Sequence, residues 1–449
     1  MKKIVISFLS LILGAVLFAG CRSIPPPAGS GIPTGTSSSS SSSPSSSSAF
    51  FNSVAISPGG TSAAVAVGLQ PNSGQGVILV SSGGPGTCGN TSGHFPCGTW
   101  KQPTSLPSSF NPLQAVTFDL DSSDSDSNVL AVGQNNTILT STDGGETWTA
   151  PPSTFTCSTN TSVTLTNVNL NGASIFGQVG NPAVIVGNTF QDPCLENASI
   201  GLIAAASNPN FPYTNWQIID HYAVNGTLQP IPSANFTGVS FTQGGSNSNF
   251  VLVVGYNSSY GYIFQGNTTT GLTNNLNNPS NNPWSLSSPP ISGVQFNGAA
   301  LAPPGSGGSS GGIAVGNNGV IYMNPAIGST NSTWTQVPTS DLPAQAQTAT
   351  FTGVHFSSGT TTAAVVTGYD GTPNNPVILY ITSCCDASIL SAQNISLVTP
   401  NIANLTGLFG VWGNPNGATL AVGSNGFILE NDNGGSSSPE PWFQVNPVP

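Results

Sequence analysis

Phe236-Thr-Gly-Val239-Ser-Phe241 recurs as Ile291-Ser-Gly-Val294-Gln-Phe296 and again as Phe351-Thr-Gly-Val354-His-Phe356. A fixed internal repeat constrains fold more tightly than local propensity, and the 3.6-residue period of a helical array is missing. Working outward, four further copies emerge: Phe51-Asn-Ser-Val54-Ala-Ile56, Leu113-Gln-Ala-Val116-Thr-Phe118, Leu165-Thr-Asn-Val168-Asn-Leu170 and Leu405-Thr-Gly-Leu408-Phe-Gly410, the last worn at its final position. After each copy comes a second β-branched run ending in Gly, at Gly68, Gly133, Gly187, Gly255, Gly316, Gly368 and Gly423. A third apolar run follows a polar turn, as in Gly319-Val-Ile-Tyr322 and Gly426-Phe-Ile-Leu429. Six copies then reach a Trp: Trp100, Trp148, Trp216, Trp284, Trp334 and Trp442. Four short strands in a unit of roughly 60 residues are the anatomy of a propeller blade. The expectation is therefore an all-β fold, a seven-bladed β-propeller of four-stranded antiparallel blades over residues 50–449. An end-to-end solenoid is the alternative, because a period alone does not close a ring.

The residues ahead of the first copy read differently. Lys2 and Lys3, the apolar run Ile4 to Phe18 and the small residues before Cys21 have the layout of an export signal over residues 1–20, too short for a comfortable membrane span. Phe18-Ala-Gly-Cys21 resembles the lipobox of bacterial lipoproteins, which implies lipidation of Cys21, and Arg22 in place of Asp implies the outer membrane as destination. An uncleaved anchor is the alternative. Residues 21–49, with Ser runs at 37–43 and 45–48, cannot bury a core and read as a disordered tether with a root-mean-square reach of about 30 Å.

Charged residues make up only 4 % of the chain, and its net charge is −11. Behind the signal segment the only basic side chains are Arg22 and Lys101. A nucleic-acid binder must neutralise several phosphates, so nucleic acid is excluded as a partner. Acidic lipid surfaces are excluded on the same ground, leaving the lipid anchor as the only membrane contact. With Cys21 assigned to lipid, Cys88, Cys97, Cys157, Cys194, Cys384 and Cys385 remain, an even number that points to disulfides in an exported chain. Zinc at Cys88 and Cys97 with His94 is the alternative for that pair.

Ser141-Thr-Asp143-Gly-Gly145-Glu-Thr-Trp148 matches the S-x-D-x-G-x-x-W pattern, and Asp432-Asn-Gly434 keeps a remnant of it. Here the chain resembles the Asp-box propellers: sialidases, certain xyloglucan-cleaving glycosidases and the photosystem II assembly factors. The resemblance implies a turn between third and fourth strands, in which Asp143 accepts backbone N–H groups and Trp148 packs between blades, so that Ser141, Asp143, Gly145 and Trp148 are structural. In propellers of this kind the loops joining strands two and three, and those joining blades, share the mouth face, with the Asp-box opposite. That placement implies pairs Cys157 with Cys194, Cys88 with Cys97, and Cys384 with Cys385, a reactive redox pair being the alternative for the last. Sialidase activity requires an arginine triad, and the body has no Arg. The basic residues by which the assembly factors grip a partner are missing as well.

Asp192, Glu196, Asp220, Asp341 and Asp370 lie near mouth loops, without a recognisable pair. The only acidic cluster, Asp119, Asp121, Asp124 and Asp126, reads as a solvated loop, with a structural Ca2+ as the alternative; no other cofactor is expected. His221 and His355 have no partner in sequence, and His355 is expected to face inward within a strand. Tyr256-Asn-Ser-Ser-Tyr260 and Trp412-Gly-Asn-Pro-Asn416 are mouth loops suited to neutral hydrogen bonding and sugar stacking. The function expected is a non-catalytic, lipid-anchored scaffold in the cell envelope that binds an envelope or extracellular protein or glycan. The alternatives are a polysaccharide-active glycoside hydrolase with a carboxylate pair at the mouth, and a periplasmic assembly factor for an envelope complex.

Overall fold

The computed structural model describes residues 49–445 apart from 58–62, 83–99, 120–127, 177–182, 207–210, 242–249, 303–309, 329–332, 357–362, 372–374, 383, 386–393, 399, 401, 403, 414–418 and 432–441. The signal segment, Cys21, nearly all of the tether, Cys88, Cys97, His94, Asp121, Asp124 and Asp126 lie outside the described residues. Within them, the regular elements are β-strands and single-turn 3-10 helices.

Seven strands line the centre: Phe50–Ile56, Leu113–Phe118, Leu170–Ile175, Asn235–Phe241, Phe296–Leu301, Thr350–Phe356 and Leu408–Gly413. Each packs against the next, and the last packs against the first, so the sheets form a closed propeller and not a solenoid. Each central strand starts an antiparallel sheet that proceeds outward through the β-branched run behind it. Two of those second strands, Val129–Gly133 and Thr419–Gly423, are buried at every residue, and others, such as Phe250–Tyr256, are buried along their middle. Sheets stacked on both sides explain why they read as continuous apolar runs without alternation.

The expectation of seven uniform antiparallel blades is corrected. Six sheets carry a blade's four strands or more, whereas the sheet begun by Leu113–Phe118 carries three. Its fourth segment is reduced to one bridge, in which Thr140 and Thr149 exchange N–H···O bonds of 2.9 Å. Pro151 and Pro152 follow one residue later, and a residue without N–H cannot extend a ladder. Two sheets gain strands instead. The hairpin Thr154–Thr156 with Ser162–Val163 lies parallel to Asn215–Ile218 on the edge of the third sheet. In the same way, His221–Val224 with Thr227–Pro230 lies parallel to Trp284–Leu286 on the fourth.

Three copies of the repeat are also displaced. Central strands begin at Leu170, Phe296 and Leu408, each paired with the Gly that ends the second run, and not at Leu165, Ile291 and Leu405. Those three residues have the right spacing and apolarity but belong to the approach to the strand. The aligned units become Phe51-Asn-Ser, Leu113-Gln-Ala, Leu170-Asn-Gly, Phe236-Thr-Gly, Phe296-Asn-Gly, Phe351-Thr-Gly and Leu408-Phe-Gly. A bulge follows the first residue of each unit, which pushes the preceding carbonyl toward the second strand: a Cβ on Gly316 would lie 1.9 Å from the Gln295 oxygen.

The second residue of the unit ties one sheet to the next. Asn52 Nδ2 donates to the Leu113 carbonyl (2.7 Å), Asn171 Nδ2 to Phe236 (2.9 Å), Thr237 Oγ1 to Phe296 (2.8 Å), Asn297 Nδ2 to Phe351 (2.8 Å) and Thr352 Oγ1 to Leu408 (2.7 Å). The fifth residue forms a second tier, where the N–H groups of Phe241, Leu301 and Gly413 donate to Ser174 Oγ, Ser240 Oγ and His355 Nδ1. At the closing junction the third residue takes over: a Cβ on Gly410 would lie 2.8 Å from the Asn52 oxygen, so only Gly admits this approach. Farther out, Trp100, Trp216 and Trp284 are wholly buried between sheets, and Trp148 nearly so.

Candidate functional site

Asp143 is exposed at the turn that leads to Thr149. Its Oδ1 accepts from Ser141 Oγ (2.8 Å) and the Thr147 N–H (2.8 Å), and its Oδ2 from Thr147 Oγ1 (2.6 Å). Gly145 takes a φ of +96° and donates its N–H to Ser141 Oγ, while Trp148 Nε1 donates to the Gly145 carbonyl and its ring packs with Val65 and Val80 of the first sheet. Burial would raise the Asp143 carboxyl, but the bonds from Thr147, Ser141 and Glu146 together hold it below the usual carboxylate value. All its lone pairs point into its own turn, which is a structural arrangement.

The acids near the mouth do not converge as a set. Asp341 lies in the single turn Thr339–Asp341, Glu196 is exposed at the end of Pro193–Leu195, and Asp370 accepts from Thr348 Oγ1 and the Gly371 N–H. Asp119, the one described member of the acidic cluster, donates its backbone N–H to the Asn128 carbonyl, so that it closes a loop between strands. Asp192 and Asp220 are different, because both are buried and close enough to repel. Burial first, and then the Asp220 charge, raise the Asp192 carboxyl above its usual value against the Cys194 N–H bond. Asp220 accepts from the Ser158 N–H (3.2 Å), Ser158 Oγ (2.6 Å) and His221 Nδ1 (3.0 Å). Nothing in sequence joins residues 28 positions apart; the pair exists because the added hairpins of the third and fourth sheets meet there.

Cys157 and Cys194 are joined by a disulfide, with Cα atoms 6.4 Å apart, between the hairpin ahead of the third sheet and the long turn after Asp192. Cys384 and Cys385 pair with each other and are almost fully buried, and Cys385 has a φ of +72°. Trp412 is not in a mouth loop: it lies in the last central strand, its ring stacked on His355 at 4.5 Å. Burial pushes the His355 imidazole down to about 4, so it is neutral at ordinary pH. Tyr260, at the tip of the fourth sheet's second turn, is the most exposed large apolar side chain among the described residues.

Two spaces are lined by residues of the central strands and of the second sheet. The central channel is narrow, with about 150 Å³ bounded by the central strands. A larger cavity of about 550 Å³ lies where the second sheet lacks its fourth strand, between Asn111, the turn Asn136–Thr137 and the hairpin carrying Ser153, Phe155 and Thr164. Its lining holds hydroxyls, amides, Phe110 and Phe155, and no titratable side chain. Asn136 is locked by its N–H to the Val168 carbonyl and by Nδ2 to Leu165, yet its buried Oδ1 has no partner. Sequence reasoning missed this cavity; Pro151-Pro152 was the available signal.

No protein-family model matches the chain, and no curated protein sequence matches it. Solved structures do. A xyloglucanase from Xanthomonas campestris superposes with a TM-score of 0.52 at 10 % identity over 88 % of this chain, which spans about half (54 %) of that enzyme. Sqt1 from Chaetomium thermophilum gives 0.50 at 11 % identity, over 89 % of this chain and 86 % of the other. YCF48 bound to a D1 peptide gives 0.49 at 13 %, over 88 % and 95 %. At such identities the likeness concerns the fold, and the chain is an all-β β-propeller.

Proposed function

We propose that the chain is a non-catalytic binding scaffold, tethered in the cell envelope through Cys21, which receives an uncharged polar segment of a protein or glycan at its mouth face. The observation that carries this reading is the cavity beside Asn136: about 550 Å³, rich in hydroxyls and amides and without a carboxylate, imidazole, amine or thiol in its lining. A volume of that size suits a few sugar rings or amino-acid residues. A neutral lining favours ligands that bring amides or hydroxyls. The buried position of Asp192 and Asp220 supports binding over hydrolysis, since two carboxylates acting on a glycoside must reach it.

The test places a photo-crosslinking residue at Ser153, in the cavity wall, and in a second variant at Thr142 on the Asp-box turn, in cells making the full chain. Adducts from Ser153 alone, lost when Asn111→Trp fills the cavity, are expected, and their composition separates protein from glycan. Equal adducts from both positions, or none from Ser153, would sink the assignment. Protease shaving of the same cells reports whether the ring stands outside or in the periplasm.

A further inference from the structure

Cys157, Cys194 and Asp192 bring two sulfurs and a carboxylate oxygen within 4.8 Å of one another. Cys157 and Asp192 are fully buried, and Cys194 is partly open to solvent. Asp192 Oδ1 accepts the Cys194 N–H at 2.9 Å, which fixes the carboxylate, while its buried Oδ2 has no hydrogen-bond partner. An orphaned buried carboxylate oxygen is costly unless something supplies positive charge or a donor. Neither His221, bonded to Asp220, nor Lys101, bonded to Glu146, donates a hydrogen bond to Asp192 Oδ2, and the nearby His221 only partly offsets the Asp192 charge. Asp220 adds a second negative charge beside the first.

We propose that reduction of the Cys157–Cys194 disulfide converts this cluster into a site for one soft divalent cation of the Zn2+ type, held by two thiolates and Asp192. Thiolates with a carboxylate select such an ion over Ca2+ or Mg2+, which take oxygen alone. At a metal–sulfur distance of about 2.3 Å the sulfurs must part to roughly 3.8 Å. The Cα separation of 6.4 Å leaves room for that by side-chain rotation. The fourth position faces the solvent side of Cys194, next to Thr159 Oγ1, which lies 3.4 Å from Cys157 Sγ and 3.7 Å from Cys194 Sγ. The chemistry balances with an external dithiol as reductant. Its two sulfurs become joined and give up two electrons and two protons, the Cys157–Cys194 bond breaks, and each cysteine takes one proton. The cation then displaces both thiol protons. Disulfide and metal exclude each other, so thiol status sets occupancy.

The test uses the full chain, Co2+ as a visible probe and Zn2+ as competitor. After reduction and removal of the reductant, one equivalent of Co2+ is expected to develop a sulfur-to-cobalt charge-transfer band that Zn2+ abolishes; the oxidised chain shows none at this site. Cys157→Ser and Cys194→Ser should each lose that equivalent, and Asp192→Asn should bind it about tenfold or more weakly. Cys384 and Cys385 are separated by mapping: Zn2+ should slow alkylation of Cys157 and Cys194 in the unsubstituted chain, a readout that survives if a variant fails to fold. Alkylation of both at equal rates with and without Zn2+ overturns the proposal, and an unchanged affinity in Asp192→Asn removes Asp192 from the site.

Discussion

Asp143 and Glu430 show two fates of a carboxylate in a chain with almost no basic residues. Asp143 stays ionised because its own turn donates to it. Its folded value is depressed, so its contribution is present above the ordinary carboxylate value and fades as pH falls through the folded one. Asp143→Ala should lower stability by about 1 kcal/mol at neutral pH and by less in acid, as read by urea unfolding. Glu430 lies buried in the strand Ile428–Asn431, its Oε1 unpartnered, and burial pushes its carboxyl up to about 8 from 4.5. Below pH 4.5 both folded and unfolded states are protonated and no penalty arises. Above it the unfolded chain ionises first, so stability falls until pH 8 and then levels off, a loss on the order of a few kcal/mol. Glu430→Gln should unfold with a shallower pH dependence over that interval, the remainder coming from groups such as Asp192; a slope equal to that of the unsubstituted chain would mean the Glu430 side chain is solvated.

At the scale of elements, the ties between neighbouring sheets come from one position of the repeat. Thr237→Val keeps shape and removes the donor to the Phe296 carbonyl. It should cost about 1–2 kcal/mol, whereas Thr142→Val at an exposed turn should be near neutral in the same denaturant titration. The repeat was legible in four copies at once, and misread in three, because the apolar pattern extends into approach segments where Leu165 and Leu405 are also buried. Pairing with the Gly of the second run is what sets the register, and that is a property of two strands together. The Pro151-Pro152 step was equally visible in the sequence; that it costs the second sheet a strand, and opens a cavity there, depended on what stands beside it.

For the whole molecule, packing joins the first sheet to the last. Leu420, Val422 and Ile428 share one core with Phe51, Val54 and Ile56, and Leu408 shares another with Val365. A chain ending at residue 404 would expose both surfaces. It is expected to bind a hydrophobic dye and unfold without a sharp transition, whereas a ring stable without its last sheet would retain cooperative melting.

Composition and repeat by themselves determined the all-β class and the stacking of short strands, because each rests on a count or a period along one chain. Tertiary structure decided the register of three repeats, the three-stranded second sheet, the place of Trp412 on His355, and the meeting of Cys157, Asp192, Cys194, Asp220 and His221. The first three arise from strands paired or packed side by side and the last from connections of different sheets meeting in space, and no spacing along the sequence records those partners.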